Sequence, residues 1–198
     1  MLKTSAHHSV IGVILAGGLS SRMGKNKAFL DRNGQNMLQF TRQHLEQAGV
    51  DQVVISGPGS LSQENLDAVE DEHSQLGPLA GIYSVLSKMP DQVSCLFVPV
   101  DLPFLSAKAL RPMIAAARKH ETSIVMQGQP LPLMIVNSPE IRLILSNIIT
   151  QQERLSIKHF LSLIQVIEIP EAHLDAWFNA NTPEDWAHAQ QTWSQEKN

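Results

Sequence analysis

Residues 10–24 of the chain read VIGVILAGGLSSRMG, an apolar run that ends at two glycines and is followed by a short polar loop. The run Val10–Ala16 is rich in β-branched residues and lacks polar alternation, which predicts a strand buried on both faces. A glycine-rich turn after such a strand offers backbone N–H groups to a phosphate. This stretch therefore predicts a parallel sheet with an anion site at the end of its first strand.

Strand and helix patterns alternate from residue 10 to about residue 126. The predicted helices cover 37–48, 79–89 and 107–119, and the predicted strands between them cover 52–56, 94–100 and 122–126. This order predicts an α/β fold, a doubly wound, mostly parallel, Rossmann-like sheet with helices on both faces. Less regular patterns predict strands at 131–136 and 165–169 and helices at 138–146, 154–163 and 183–193, the last with Thr182 as its N-cap.

The loops after Ala16, Ser56 and Val100 each follow a predicted strand. In a parallel sheet these loops meet at the carboxyl edge, where ligands of such folds bind. Asp101 lies in the third of these loops, and Pro103 stops the strand from continuing. A carboxylate at this place suits Mg²⁺, which prefers one or two carboxylates with phosphate oxygens and water. A turn or helix-capping aspartate is the alternative.

The composition excludes several classes of protein. With 198 residues, 17% charged residues and a net charge of −4, the chain fits one globular domain and has no basic surface for nucleic acid. The single cysteine, Cys95, excludes a disulfide within the chain and is typical of a reducing compartment. We expect neither a signal peptide in residues 1–9 nor a membrane span, and hence a cytoplasmic protein.

Two well-known phosphate-binding loops do not match the glycine turn. A Walker loop needs a glycine five residues before its Gly-Lys pair, where this chain has Leu19 before Gly24-Lys25. The dinucleotide fingerprint fails because five non-glycine residues follow Gly17-Gly18. Either the turn is an ordinary surface loop, or it holds an anion in a different way.

Three basic residues favour the anion. Arg22, Lys25 and Lys27 occur within six residues, and no acidic residue follows until Asp31. At the carboxyl edge of a sheet they would converge on a polyanion such as a triphosphate. A solvated basic face is the alternative.

Four segments together resemble a known family. They are LAGGLSSRMG at 15–24 with Asn26-Lys27-Ala28, GPLAG at 77–81, DLPFL at 101–105 and NANTPED at 179–185. The first resembles the signature of the GT-A-like nucleotidyltransferases, which transfer an NMP group from an NTP. The others narrow the resemblance to the molybdenum cofactor guanylyltransferase branch, over residues 11–187.

The resemblance implies a reaction and a set of residues. The family transfers GMP from GTP to the terminal phosphate of molybdopterin, releases pyrophosphate and uses Mg²⁺, and its further partners would be molybdoenzymes or their chaperones. The implied catalytic residues are Arg22, Lys27 and Asp101, with Asp101 as metal ligand. The implied nucleotide-binding residues are Leu15, Ala16, Gly17, Gly18, Lys27, Asp71, Gly77, Pro78 and Asp101. The implied acceptor-binding residues are Asn179, Asn181 and Arg154.

Simpler explanations exist for several of these residues. Asp71 lies in an acidic cluster that would suit a solvated loop, Asn179 and Asn181 precede a helix and could cap it, and Arg154 could be a surface residue. Because the sequence has no internal repeat, low-complexity tract or linker, we expect residues 1–198 to form one domain, with a nucleotide-binding half at about 9–126 and an acceptor-binding half at about 127–198.

The chain departs from the family pattern in two places. Asn26 stands where the signature has aspartate before the lysine, and the segment ending at Ser56-Gly57 lacks an asparagine often found near the base. The second departure keeps cytidylyl transfer to the same cofactor open as an alternative. A non-catalytic nucleotide-binding adaptor and a sugar-1-phosphate nucleotidyltransferase are further alternatives, the last disfavoured by the short chain.

Overall fold

The computed structural model describes residues 9–17, 26–64, 67–71, 76–152 and 154–195. The strands are β1 Val10–Leu15, β2 Asp31–Arg32, β3 Gln35–Asn36, β4 Gln52–Ser56, β5 Asp67–Val69, β6 Ser94–Pro99, β7 Ser123–Met126, β8 Gln129–Val136 and β9 Val166–Ile169. The helices are α1 Met37–Ala48, α2 Pro78–Lys88, α3 Ala107–His120, α4 Pro139–Gln151, α5 Ile157–Leu161 and α6 Pro183–Gln195. Short 3₁₀ turns cover Lys27–Phe29, Gly59–Glu64 and Leu174–Trp177.

The main sheet has seven strands in the order β5-β4-β1-β6-β8-β7-β9. β1 lies in the interior of the sheet and pairs in parallel with β4 and β6, so that Leu15 is opposite both Ser56 and Pro99. β5 and β9 extend the sheet through further parallel pairs. The prediction of a doubly wound, mostly parallel sheet is confirmed.

Side chains of β1 alternate between two helical layers. Val10 and Ile14 belong to the core packed with α1, α3 and α6, whereas Val13 and Leu15 belong to the core packed with α2, α4 and α5. Because both faces of the strand are covered, polar alternation would place polar groups inside the protein. The uninterrupted apolar run of β1 therefore follows from its central position.

One strand, beyond the region 10–126 in which strands and helices were predicted to alternate, runs against the rest of the sheet. β8 runs antiparallel to both of its neighbours, β6 and β7. It follows β7 through a turn of two residues in which Gly128 has a φ of +79°. Such a tight connection can only return the chain antiparallel.

The helix ends follow local chemistry. α1 begins with a capping box between Asn36 and Gln39 and ends at Gly49, whose φ is +99°. α2 begins with Pro78 at its first turn, as predicted from the Gly77-Pro78 pair. Thr182 caps α6, since its Oγ1 accepts a hydrogen bond of 3.1 Å from the N–H of Asp185.

Two local predictions need correction. The helix predicted at 154–163 is only Ile157–Leu161, because Ser156 caps it and Arg154 has a φ of +50°. The hairpin β2–β3 was not predicted, although its Asn33-Gly34 turn has a positive φ at both residues, a common hairpin conformation.

Cys95 lies inside the sheet on β6 and is fully buried. Burial raises the pKa of its thiol to about 12, which makes it unreactive at neutral pH. Among the described residues, no helix is both long and apolar enough to cross a membrane.

Candidate active site

A cavity of about 360 Å³ opens at the carboxyl edge of the sheet, where β1 and β6 end beside each other. It is lined by residues from the first strand and the turn before α1, from the start of α2, from the end of β6, from β8 and from the segment before α6. These residues are Leu15, Ala16, Gly17, Asn26, Lys27, Pro78, Pro99, Val100, Asp101, Leu131, Asn179 and Asn181. We call it the Lys27 cavity.

Three polar side chains meet in the Lys27 cavity. Lys27 Nζ donates hydrogen bonds to Asp101 Oδ2 at 2.7 Å and to Asn181 Oδ1 at 2.8 Å. The side chains of Lys27 and Asp101 are 13% and 15% exposed. An ion pair shielded to this extent is screened by solvent less than one on the open surface. Residues far apart in the sequence thus form one charged centre.

Asp101 has an oxygen to spare. Its Oδ1 is buried and has no hydrogen-bond partner among the described residues. Within the described part of the chain, no group of three or more His, Cys, Asp or Glu side chains is placed to hold a metal. The donor set therefore fits a hard divalent cation that takes one carboxylate here and the rest of its ligands from phosphate and water.

Lys27 is positioned by a short capped turn. The side chain of Asn26 accepts a hydrogen bond of 3.0 Å from the N–H of Ala28, which caps the turn Lys27–Phe29. Ala28 is fully buried and anchors the turn in the core. An asparagine oxygen and an aspartate oxygen accept this bond alike. The replacement of the family aspartate by Asn26 thus preserves the local structure.

Asn181 is positioned by contacts on both sides of it. The N–H of Ala180 donates to the backbone oxygen of Asp101 at 3.0 Å. The N–H groups of Asn181 and Thr182 donate to Asp185 Oδ2 at 3.0 and 2.9 Å. Both bonds lower the pKa of the Asp185 carboxyl, and the bond from Thr182 has the larger effect.

The first N–H groups of the glycine turn are hydrogen-bonded within the protein. The N–H groups of Ala16 and Gly17 both donate to the backbone oxygen of Ser56, at 2.8 and 3.0 Å. They are therefore occupied and do not point at a ligand. The part of the predicted phosphate loop with Gly18 and Arg22 lies outside the described residues, so the prediction for them stays a prediction.

The close approach of β1 and β4 depends on a glycine that was not singled out from the sequence. A Cβ at Gly57 would lie 3.0 Å from Leu61, 3.2 Å from the nitrogen of Gly17 and 3.3 Å from the carbonyl carbon of Ala16. Backbone atoms at such distances cannot move aside cheaply. Gly57 thus sets the spacing between the two loops at this edge of the Lys27 cavity.

The GPLAG segment divides into two roles. Gly77 has a φ of +75° and open space around its Cβ position, whereas a Cβ at Gly81 would lie 2.6 Å from Ser56 Oγ. Gly81 therefore serves the packing of α2 against the sheet, and Gly77 leaves space beside Pro78. The Cβ position at Gly81 is also 3.8 Å from Asp71 Oδ2. Asp71 therefore lies beside the start of α2, next to the cavity but not among its lining residues.

Arg154 is a predicted acceptor-binding residue that the structure places away from this centre. It is exposed, precedes α5 and does not line the Lys27 cavity. Leu131 and Asn26 line the cavity and were not predicted to do so. Asp185 was quoted in a motif without a role, although the Thr182–Asp185 spacing is a readable capping-box pattern.

Comparison with known proteins gives the family. The MobA-like NTP transferase domain matches residues 12–161, which is more than half of the chain. The chain belongs to this family. This NTP transferase is 32% identical over 180 residues to the molybdenum cofactor guanylyltransferase of Xanthomonas euvesicatoria pv. vesicatoria, covering 89% of this chain and 92% of the relative. It is 29% identical over 196 residues to a probable molybdenum cofactor guanylyltransferase of Natranaerobius thermophilus, covering 91% of this chain and 95% of the relative.

A solved structure shows the same fold. The molybdopterin-guanine dinucleotide biosynthesis protein A of Archaeoglobus fulgidus superposes with a TM-score of 0.76 at 22% identity, covering 93% of this chain and 99% of that chain. The α/β architecture of this NTP transferase is therefore that of the nucleotidyltransferases. Enzymes of this family typically use a divalent metal, in agreement with the donor set at Asp101.

Proposed function

We propose that this NTP transferase moves GMP from GTP to the terminal phosphate of molybdopterin, releases pyrophosphate and uses Mg²⁺. The observation that carries the proposal is the Lys27–Asp101 pair, 2.7 Å apart at the carboxyl edge of the parallel sheet. Phosphoryl and nucleotidyl transfer need a positively charged hydrogen-bond donor beside a carboxylate that has an oxygen available for a metal ion. The relatives named as molybdenum cofactor guanylyltransferases support the choice of substrates.

Asp101 would hold the metal through Oδ1, the oxygen that has no hydrogen-bond partner among the described residues. A bound Mg²⁺ supplies positive charge that neutralises the phosphates of GTP. Asp101 would place that charge just after the end of β6, where the hydrogen bond from the N–H of Ala180 to its backbone oxygen holds it.

Lys27 would hold the phosphates that leave. Its Nζ has three N–H groups, of which Asp101 and Asn181 accept two. The third has no partner among the described residues and would bind a phosphate oxygen, where it stabilises the charge that develops as pyrophosphate departs. By the family resemblance, Arg22 of the preceding loop adds a second positive charge to the same phosphates.

The acceptor needs no base from the protein. The terminal phosphate of molybdopterin is ionised at neutral pH and can attack the α-phosphate of GTP directly and in line. The protein then contributes positioning and charge neutralisation. GTP would lie on the side of Leu15–Gly17, Asp71 and Gly77-Pro78, and the acceptor on the side of Asn179 and Asn181, so that one domain offers two halves to the two substrates.

Pyrophosphate release tests this function. Purified protein is supplied with Mg²⁺, molybdopterin and either GTP or CTP, and EDTA serves as the control for metal dependence. Release from GTP that stops with EDTA supports the proposal, and release from CTP alone would replace it by cytidylyl transfer. Binding of GTP without release from either nucleotide would favour a nucleotide-binding adaptor that serves a molybdoenzyme or its chaperone.

A further inference from the structure

The first turn of α6 contains a carboxylate with an unusual number of local contacts. Asp185 Oδ2 accepts hydrogen bonds from the N–H groups of Asn181 and Thr182, and the N–H of Asp185 donates to Thr182 Oγ1. An ordinary capping box ties the cap residue to the helix. This arrangement extends one residue further, to Asn181, and so reaches into the Lys27 cavity.

Asn181 links this box to the charged centre. Its backbone N–H is bonded to Asp185, while its side-chain Oδ1 accepts the hydrogen bond of 2.8 Å from Lys27 Nζ. One residue before it, Ala180 is bonded through its N–H to the backbone oxygen of Asp101. The segment is therefore held from the sheet side by Asp101 and from the helix side by Asp185.

The exposure of Asn181 explains why such a support is needed. It lies at the surface with little packing around it, so the position of its Oδ1 depends on the backbone that carries it and on the hydrogen bond from Lys27. Lys27 itself has several rotatable bonds and loses much of its freedom when its ammonium group is held in place. A misplaced Asn181 oxygen would leave Lys27 bound to Asp101 alone and free to turn about that bond.

We propose that Asp185 is a positioning residue for Lys27. It fixes the backbone at Asn181 and Thr182, Asn181 Oδ1 then fixes the Lys27 ammonium group together with Asp101, and the remaining N–H of Lys27 is directed at the phosphates. The catalytic part of this inference rests on the proposed nucleotidyl transfer, but the positioning of Lys27 is a property of the protein alone.

The main variant is Asp185→Ala, and the matched control is Glu184→Ala. Glu184 is the neighbouring exposed carboxylate in the same first turn of α6, so both changes remove one negative charge from the same helix end. We expect Asp185→Ala to lower kcat/KM about tenfold, the order of one lost hydrogen-bonded anchor, and Glu184→Ala to change it less than about twofold. Equal losses in the two variants would overturn the proposal.

Asp185→Asn tests whether the hydrogen bonds or the charge matter. The amide oxygen of asparagine can accept the same two N–H groups, so this variant should recover most of the activity that Asp185→Ala loses. It also guards against misfolding, since its thermal unfolding can be compared with that of wild type. An activity of Asp185→Asn as low as that of Asp185→Ala would contradict positioning through the backbone.

A double-mutant cycle with Lys27→Met shows through which residue Asp185 acts. If Asp185 works through Lys27, adding Asp185→Ala to Lys27→Met should cause no further loss of kcat/KM. A helix-capping role that only stabilises the fold would give the same fractional loss in both backgrounds. That additive result would overturn the proposal.

A measurement without substrate separates this proposal from the proposed function. Acetic anhydride at limiting concentration labels lysine amines, and mass spectrometry compares Lys27 with exposed Lys108 as an internal reference. Asp185→Ala should increase the relative labelling of Lys27 severalfold, and Glu184→Ala should not. If this occurs while wild type fails to use GTP, the positioning stands and the guanylyl transfer fails; unchanged labelling in an active enzyme overturns the positioning alone.

Discussion

The protein has a second cavity, larger than the Lys27 cavity, in which the positively charged side chain has different surroundings. About 600 Å³ in volume, it lies between α1, α6 and the loop before α3, and we call it the Arg32 cavity. It is lined by Arg32, Phe40, His44, Phe104, Leu105, Ser106, Asp175, Phe178, His188 and Thr192. The guanidinium of Arg32 lies 4.4 Å from the ring centroid of Phe40 and 4.7 Å from that of Trp193.

The difference lies in what surrounds each positive charge. Lys27 is held by two side-chain oxygens at the carboxyl edge of the sheet, and its third N–H has no hydrogen-bond partner among the described residues. Arg32 is stacked on two aromatic rings, and its Nε donates to the backbone oxygen of Pro103 at 3.0 Å. A stacked guanidinium contributes packing and cation–π energy to the fold, whereas an ammonium beside a carboxylate is suited to chemistry. Cavity volume alone would select the Arg32 cavity, whereas the arrangement of charges favours the Lys27 cavity.

The largest expected effect is that of Asp101→Asn. Losing the metal-binding charge should lower turnover by about 100-fold or more while leaving the fold intact, because the substitution preserves the shape of the side chain. The matched control is Asp175→Asn, which changes an exposed carboxylate of the Arg32 cavity and should leave turnover within about twofold. Steady-state pyrophosphate release measures both, and the opposite ranking would move the active centre to the larger cavity.

Replacing each of the two cationic side chains by methionine tests the comparison further. Lys27→Met should lower kcat/KM by roughly 10- to 100-fold with little change in the free energy of unfolding, since we propose that Lys27 stabilises the leaving phosphates and does not stabilise the core. Arg32→Met should lower the free energy of unfolding by about 1–2 kcal/mol, the order of a shielded cation–π contact, and change kcat/KM less than about twofold. Urea unfolding and steady-state kinetics on both variants provide the measurements. A stable but inactive Arg32→Met would show that the Arg32 cavity takes part in the reaction.

Much of the Lys27 cavity could be predicted from the sequence because its determinants are local. The apolar run of β1, the Gly-Pro start of α2 and the end of β6 shortly before Asp101 each follow from residue types within a few positions. Parallel strands then bring those loops to one edge without further information. The family motifs contributed the choice of Lys27 over Lys25, and its bond to Asp101 agrees with that choice.

The parts that could not be predicted depend on non-local pairing. The apolar residues of β8 do not show that this strand inserts between β6 and β7, and nothing in the sequence around Arg32 shows that Trp193 covers it. Arg154 was chosen by resemblance alone, and a positive φ in the segment before α5 cannot be seen in a helical pattern. The capping pattern of Asp185 is visible in the sequence, but its hydrogen bond with the N–H of Asn181 is not, and so no role was predicted for it.

His44, in the Arg32 cavity, should make the stability of the protein depend on pH in mildly acidic solution. Burial, and then the charge of Arg32, lower the pKa of His44 from its ordinary value of 6.5. The unfolded chain therefore takes up a proton near pH 6.5 that the folded protein resists, and the free energy of unfolding should fall as the pH drops below that value. His44→Gln removes this proton and should flatten the dependence between about pH 6.5 and pH 5. Urea unfolding across this range measures it, and equal slopes in both proteins would refute the assignment.

The smallest effect belongs to the wall of the Lys27 cavity, at Asp185. The N–H groups of Thr182 and Asn181 lower its pKa below the ordinary value of 3.8, so the unfolded chain binds the proton first as the pH falls. The stabilisation by Asp185 is thus fully present above pH 3.8 and is lost as the pH falls through the lower pKa of the folded protein. The stability difference between wild type and Asp185→Ala should therefore narrow in acid, below the range in which His44 acts. Urea unfolding at pH 5 and at about pH 3 tests this, and a difference that stays constant would mean that the carboxylate charge of Asp185 does not support the segment that holds Asn181.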